Sequence, residues 1–131
     1  MPALAEEEPA YDLGSLSARC LGNLDFAISL LDRFAAGAET SIERLRTAAE
    51  RGDLPDLARE AHSLKGSAAN LSADSLRDAA ASLEAACRSG ARDEGVAAVE
   101  RLVGELDRCR RQILSDSLRR NDTGASEAVA S

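Results

Sequence analysis

The chain has 131 residues, enough for one domain and too few for two ordinary ones. Its formal net charge of −7 argues against a nucleic-acid binder, because duplex affinity rests on basic surface that neutralises phosphates. Aromatic residues make up 2% of the chain while Ala and Leu abound, and the β-branched and aromatic runs that build strands are absent, so the composition points to an all-α fold.

No stretch approaches the roughly 18 uninterrupted apolar residues of a membrane span. The acidic start lacks the basic and apolar regions of a signal peptide. Cys20, Cys87 and Cys109 lie far apart in apolar contexts, which predicts buried, reduced thiols and a cytoplasmic location.

In chain order, residues 1–12 are acidic, contain Pro2 and Pro9, and are expected to form a flexible leader. A short extra helix is predicted from Ser15 to Leu21, ended by Gly22. Next comes a long amphipathic helix with Leu24, Ala27, Leu31, Phe34, Ala38, Ile42, Leu45 and Ala49 as its stripe. Asn23 is its predicted cap and Gly52 its stop. A third helix starts at Asp53, tolerates Pro55 in its first turn, and carries Leu54, Leu57, Ala61, Leu64, Ala68 and Leu71. The fourth starts at Ser72 or Asp74, turns Leu76, Ala80, Leu83 and Cys87 inward, and closes at Gly90. The fifth begins near Asp93 and buries Val99, Leu102, Leu106, Cys109 and Ile113. Residues 117–131 lose the period and are expected to be a disordered tail. Short connections then give an antiparallel up-down-up-down four-helix bundle over residues 13–116, preceded by the short extra helix.

The chain has one histidine, so imidazole chemistry has one address. His62 falls about 100° round the third helix from Ala61, off the core stripe. Ala58, Lys65, Gly66 and Ala69 share its face, with Arg59 one turn away. A solvated face normally carries charges, whereas here small residues ring an imidazole and a lysine. Gly66 in mid-helix costs about 1 kcal/mol relative to Ala, which suggests that something approaches closely there. A His–Lys pair on a helix also fits an ordinary solubilising surface, and these residues do not decide between the two.

The run Ala61-His62-Ser63-Leu64-Lys65-Gly66-Ser67-Ala68-Ala69-Asn70-Leu71 closely resembles the signature of the histidine-containing phosphotransfer (HPt) domain family of two-component phosphorelays. Leu76, Ala80, Leu83 and Glu84 fit the family's next helix, and Leu24 through Phe34 its lead-in helix, so the resemblance covers roughly residues 14–115. Ser72 departs from the Gly that many members carry after the Asn-Leu pair; this bears on the turn and barely on phosphotransfer.

The resemblance implies that His62 is phosphorylated on Nε2. It implies that Lys65 stabilises the phosphorylated form, and that Glu84 holds the other ring nitrogen. Ala58, Arg59, Gly66 and Ala69 would be the docking face. From periodicity alone, Glu84 is one of many surface acids. The expected partners are receiver domains of a hybrid sensor kinase and of response regulators, with no nucleic acid and no membrane, the chain itself being a monomer.

No acidic cluster suits Mg²⁺, which is expected on the receiver, and no Gly-rich phosphate loop is present. The expectation is therefore a phosphocarrier without cofactor or kinase activity, either free-standing or part of a larger sensor kinase. Two other classes compete with it. A helical adaptor without chemistry predicts that His62→Gln leaves signalling intact. A di-iron bundle enzyme needs Glu-x-x-His pairs, and Arg59 stands where the Glu would be.

Overall fold

The computed structural model describes residues 8–130, with side chains through residue 121. All regular structure among them is helical. The five helices are α1 (Leu13–Arg19), α2 (Leu24–Arg51), α3 (Leu54–Asn70), α4 (Asp74–Arg88) and α5 (Arg92–Ala130). No helix among the described residues is long and apolar enough to cross a membrane.

Three of the five helix starts follow from side-chain caps. Asp12, Asn23 and Asp53 each accept from the backbone N–H three residues on, at 3.0 Å. Each such cap stabilises its helix by about 1 kcal/mol. Asp12, rather than Ser15, therefore sets the start of α1, and the helix ends at Arg19, two residues short of the expected Leu21. α2 ends at Gly52, whose φ of 63° is the left-handed conformation that glycine adopts at no steric cost. The α3–α4 turn closes with the same hydrogen-bond pattern, Ala73 N–H to Ala68 O and Ser72 N–H to Ala69 O, but places Ser72 at φ 57°. Ser72 is buried, and its hydroxyl donates to Ser15 Oγ at 2.9 Å, tying the turn to α1.

The stripes meet in one core. Leu57, Ala61 and Leu64 of α3 join Leu76, Ala80 and Leu83 of α4 and Leu102, Leu106 and Ile113 of α5. The most extensive packing is between α3 and α4, followed by α4 with α5 and then α2 with α5. On α2 the stripe departs from expectation at both ends. Leu24 is 47% exposed, and Ala48 is buried where Ala49 is only partly covered. Cys87 and Cys109 are buried free thiols, and Cys20 is only half-buried. Burial pushes the Cys109 thiol up to about 11 and raises Cys87, so both stay protonated.

Two boundary expectations are corrected. Composition predicts a flexible leader over residues 1–12. Residues 1–7 lie outside the described residues, but Ala10 and Tyr11 are buried. Ala10 N–H donates to Gln112 Oε1, the Tyr11 hydroxyl to Asp116, and Asp12 N–H to Ser72 O at 3.0 Å. Apolar burial and these bonds override an acidic, proline-containing composition.

The second correction concerns residues 117–131, where α5 continues to Ala130 instead of fraying into a tail. Extending an existing helix adds one hydrogen bond per residue fixed, without a new nucleus. Leu118, Arg119 and Arg120 favour helix, so lost periodicity removes the buried face but not the helix.

Candidate functional site

α3 and α4 carry the site on adjacent faces. Core burial of Ala61 and Leu64 fixes the rotation of α3 and turns His62 outward, leaving its side chain 64% exposed. Burial of Ala80 and Leu83 likewise places the next residue, Glu84, at the α3–α4 seam. His62 Nδ1 lies 2.8 Å from Glu84 Oε2, and Lys65 Nζ lies 2.6 Å from Glu84 Oε1. Arg88, one turn along α4, places its guanidinium 2.7 Å from Oε2.

Glu84 is the one buried charged residue among the described residues, its side chain 8% exposed. A buried carboxylate without partners would take up a proton. Here the Lys65 hydrogen bond, opposed by desolvation and reinforced by His62 and Arg88, holds its pKa below the usual carboxylate value. An ionised carboxylate can only accept, so the proton of the His62–Glu84 bond resides on Nδ1. The lone pair of the neutral ring is then on Nε2, which makes no hydrogen bond among the described residues. The arrangement presents an oriented ring nitrogen at the surface, with two cations on the carboxylate that orients it.

Gly66 is exposed, and a methyl group in place of its hydrogen would meet nothing within 4 Å. The chain's own packing therefore does not require glycine here. Ala69 is half-buried and its carbonyl accepts from Arg19. Ala58 is half-buried against the core. Arg59 pairs with Asp56 at 3.1 Å, one turn towards the start of α3, and makes no hydrogen bond or ion pair with His62.

Two features escaped the sequence reading. Arg88 stands four residues after Glu84, the spacing of a helical ion pair, and that spacing was the available signal. The other is an apolar groove of about 440 Å³ beside α3, lined by Leu16, Phe26, Leu30, Phe34 and Leu71, with Arg19 and Arg33 among its walls. Phe26 is 52% exposed in it, and lies off the core stripe of α2. Among the described residues no group of three or more His, Cys, Asp or Glu side chains is placed to hold a metal ion.

An exposed histidine held by a buried carboxylate in a helical fold is the layout of a phosphotransfer module, and residues 29–112 match the Hpt domain family. The chain belongs to that family, and its function is histidine phosphotransfer in a phosphorelay. In structure it is similar to histidine-containing phosphotransfer protein B (HptB) from Pseudomonas aeruginosa PAO1, with a TM-score of 0.73 and 28% identity over 86% of this chain and 98% of that one. No curated protein matches the sequence.

Proposed function

We propose that the chain is a phosphocarrier that accepts a phosphoryl group on His62 Nε2 from a receiver aspartate and passes it to the aspartate of a response regulator. The observation that carries this reading is the 2.8 Å contact between His62 Nδ1 and a buried carboxylate, which leaves Nε2 as the nucleophile. In the forward step the Nε2 lone pair forms the N–P bond as the P–O bond to the receiver's aspartate breaks. The electron pair leaves on that aspartate and the Nδ1 proton stays in place. Glu84 offsets the positive charge that develops on the ring.

Lys65, on the same face one turn on, turns from Glu84 to the incoming phosphoryl oxygens. Phosphoryl transfer depends mainly on positioning and charge neutralisation, so the receiver's Mg²⁺ and this cation divide the electrostatic task. The chain holds no cofactor and has no autonomous kinase activity.

Docking uses the small-residue strip of Ala58, Gly66 and Ala69 and continues into the Phe26–Phe34 groove, with Arg59 at its edge. The antiparallel up-down-up-down arrangement belongs to the same reading. The two- and three-residue turns and the packing of α2 on both α3 and α5 support it. A monomer fits a solvated bundle that presents this one face to its partners.

The deciding experiment is incubation with a phosphorylated receiver domain. Acid-labile, base-stable label is expected on the wild-type chain and none on His62→Gln; label that survives in His62→Gln would refute the assignment.

A further inference from the structure

The Glu84 carboxylate has one more cation than the transfer step uses. Lys65 binds Oε1, while Arg88 shares Oε2 with the imidazole. The two cations differ in origin. Lys65 rises from α3 beside the reacting ring. Arg88 comes from α4, four residues after Glu84, so its reach to the carboxylate does not depend on α3.

This division has its effect when the phosphoryl group arrives. In the reading proposed above, on which this inference rests, Lys65 then leaves Oε1. Its hydrogen bond is the largest influence holding the Glu84 pKa down. With the side chain 8% exposed, water replaces little of that bond. Yet this is the moment at which the ring, carrying both its Nδ1 proton and the phosphoryl group, most needs an ionised acceptor.

We infer that Arg88 is the fixed counter-cation of the site, a positioning residue that keeps the Glu84 carboxylate on His62 Nδ1 while Lys65 is engaged by the phosphoryl group. With Arg88 present, the dianionic phosphoryl group and Glu84 are balanced by the ring, Lys65 and Arg88. Without it the half-enclosed cluster carries an uncompensated negative charge. The charged groups facing Glu84 are His62 and Lys65 from α3 and Arg88 from its own helix. From α5, the cation bonded to α4 is Arg101, on the Ser82 hydroxyl at 3.3 Å.

An ordinary solvent-exposed pair on one helix would contribute a small, constant stabilisation, the same with or without phosphate. State dependence therefore separates the two roles. His62 is phosphorylated chemically with phosphoramidate, and the ¹³C-labelled Glu84 carboxyl is followed by NMR between about pH 5 and 8. In wild type it should stay ionised throughout, phosphorylated or not.

In Arg88→Ala the phosphorylated form should begin to protonate at the acidic end, and its phosphohistidine lifetime should shorten severalfold. The unphosphorylated variant, with Lys65 still on Oε1, should shift less, and Arg88→Lys should follow wild type in both states. An Arg88→Ala shift that is equal in the two states, or absent in the phosphorylated one, would overturn the inference. Failure of wild-type His62 to take label would instead remove the phosphocarrier reading beneath it.

Discussion

Glu84 and His62 are 22 residues apart and face each other across the α3–α4 seam, with Oε2 2.8 Å from Nδ1. Three side chains converge on this one carboxylate, and it is buried while the imidazole is open. The protein thus holds the charge that orients the ring inside the fold and leaves Nε2 outside it.

The ionisation of Glu84 is linked to stability. Its pKa in the folded chain is depressed, so the associated stabilisation is fully present above the ordinary carboxylate value of 4.5 and is lost as pH falls through the folded value. Urea unfolding of wild type and Glu84→Gln should therefore show a wild-type advantage at about pH 7 that shrinks at about pH 3. An advantage that does not change with pH would mean that the carboxylate's charge contributes nothing to the fold.

Gly66→Ala should separate stability from function. A Cβ there meets nothing within 4 Å, and glycine costs about 0.5–1 kcal/mol in a helix interior, so the variant should unfold at a higher urea midpoint. Transfer from a phosphorylated receiver should nonetheless slow, about tenfold if the added methyl costs roughly 1.4 kcal/mol of docking. A stabilised variant with unchanged transfer would show that no partner comes close at this position.

Ser72 combines a left-handed backbone with a buried hydroxyl bond. Ser72→Ala keeps the strained φ and loses the bond to Ser15, so it should destabilise by about 1 kcal/mol. Ser72→Gly also loses the bond but relieves the strain, and thermal unfolding should place it between Ser72→Ala and wild type. If Ser72→Ala matched wild type, the hydroxyl would not be what ties α1 to the turn.

Phe26→Asp tests the groove. The ring is half-exposed, so the fold should lose less than about 1 kcal/mol, while receiver binding measured by calorimetry should weaken at least tenfold. Equal affinity for the two proteins would place docking elsewhere.

Helix positions and the inward residues of α3, α4 and α5 were legible in the sequence, because caps and 3.6-residue periodicity are local. His62, Lys65 and Gly66 were legible as a motif. Glu84 could be assigned only through the family resemblance, since nothing local distinguishes a carboxylate buried at a seam from one in solvent. Arg88 was missed because its role depends on Glu84. The docking of Ala10 and Tyr11 onto α5 was illegible for a different reason. It joins residues about a hundred positions apart, and no pattern within either segment announces the other. The continuation of α5 was missed because periodicity reports a buried face, and a helix can outrun its own core.

The strap formed by Ala10–Asp12 bears on where this protein can be cut. The family match begins at residue 29, inside α2, and takes in neither the strap nor α1. Trimming to that boundary would uncover the surfaces beneath Tyr11 and Leu16 and leave the Ser72 hydroxyl without its Ser15 partner. It would also strip the groove of the wall built by Leu16, Arg19 and Cys20, together with Phe26. Under the proposed function, a version reduced to the shared family unit would keep the histidine proposed to carry the phosphoryl group and forfeit much of the surface proposed to choose its donor.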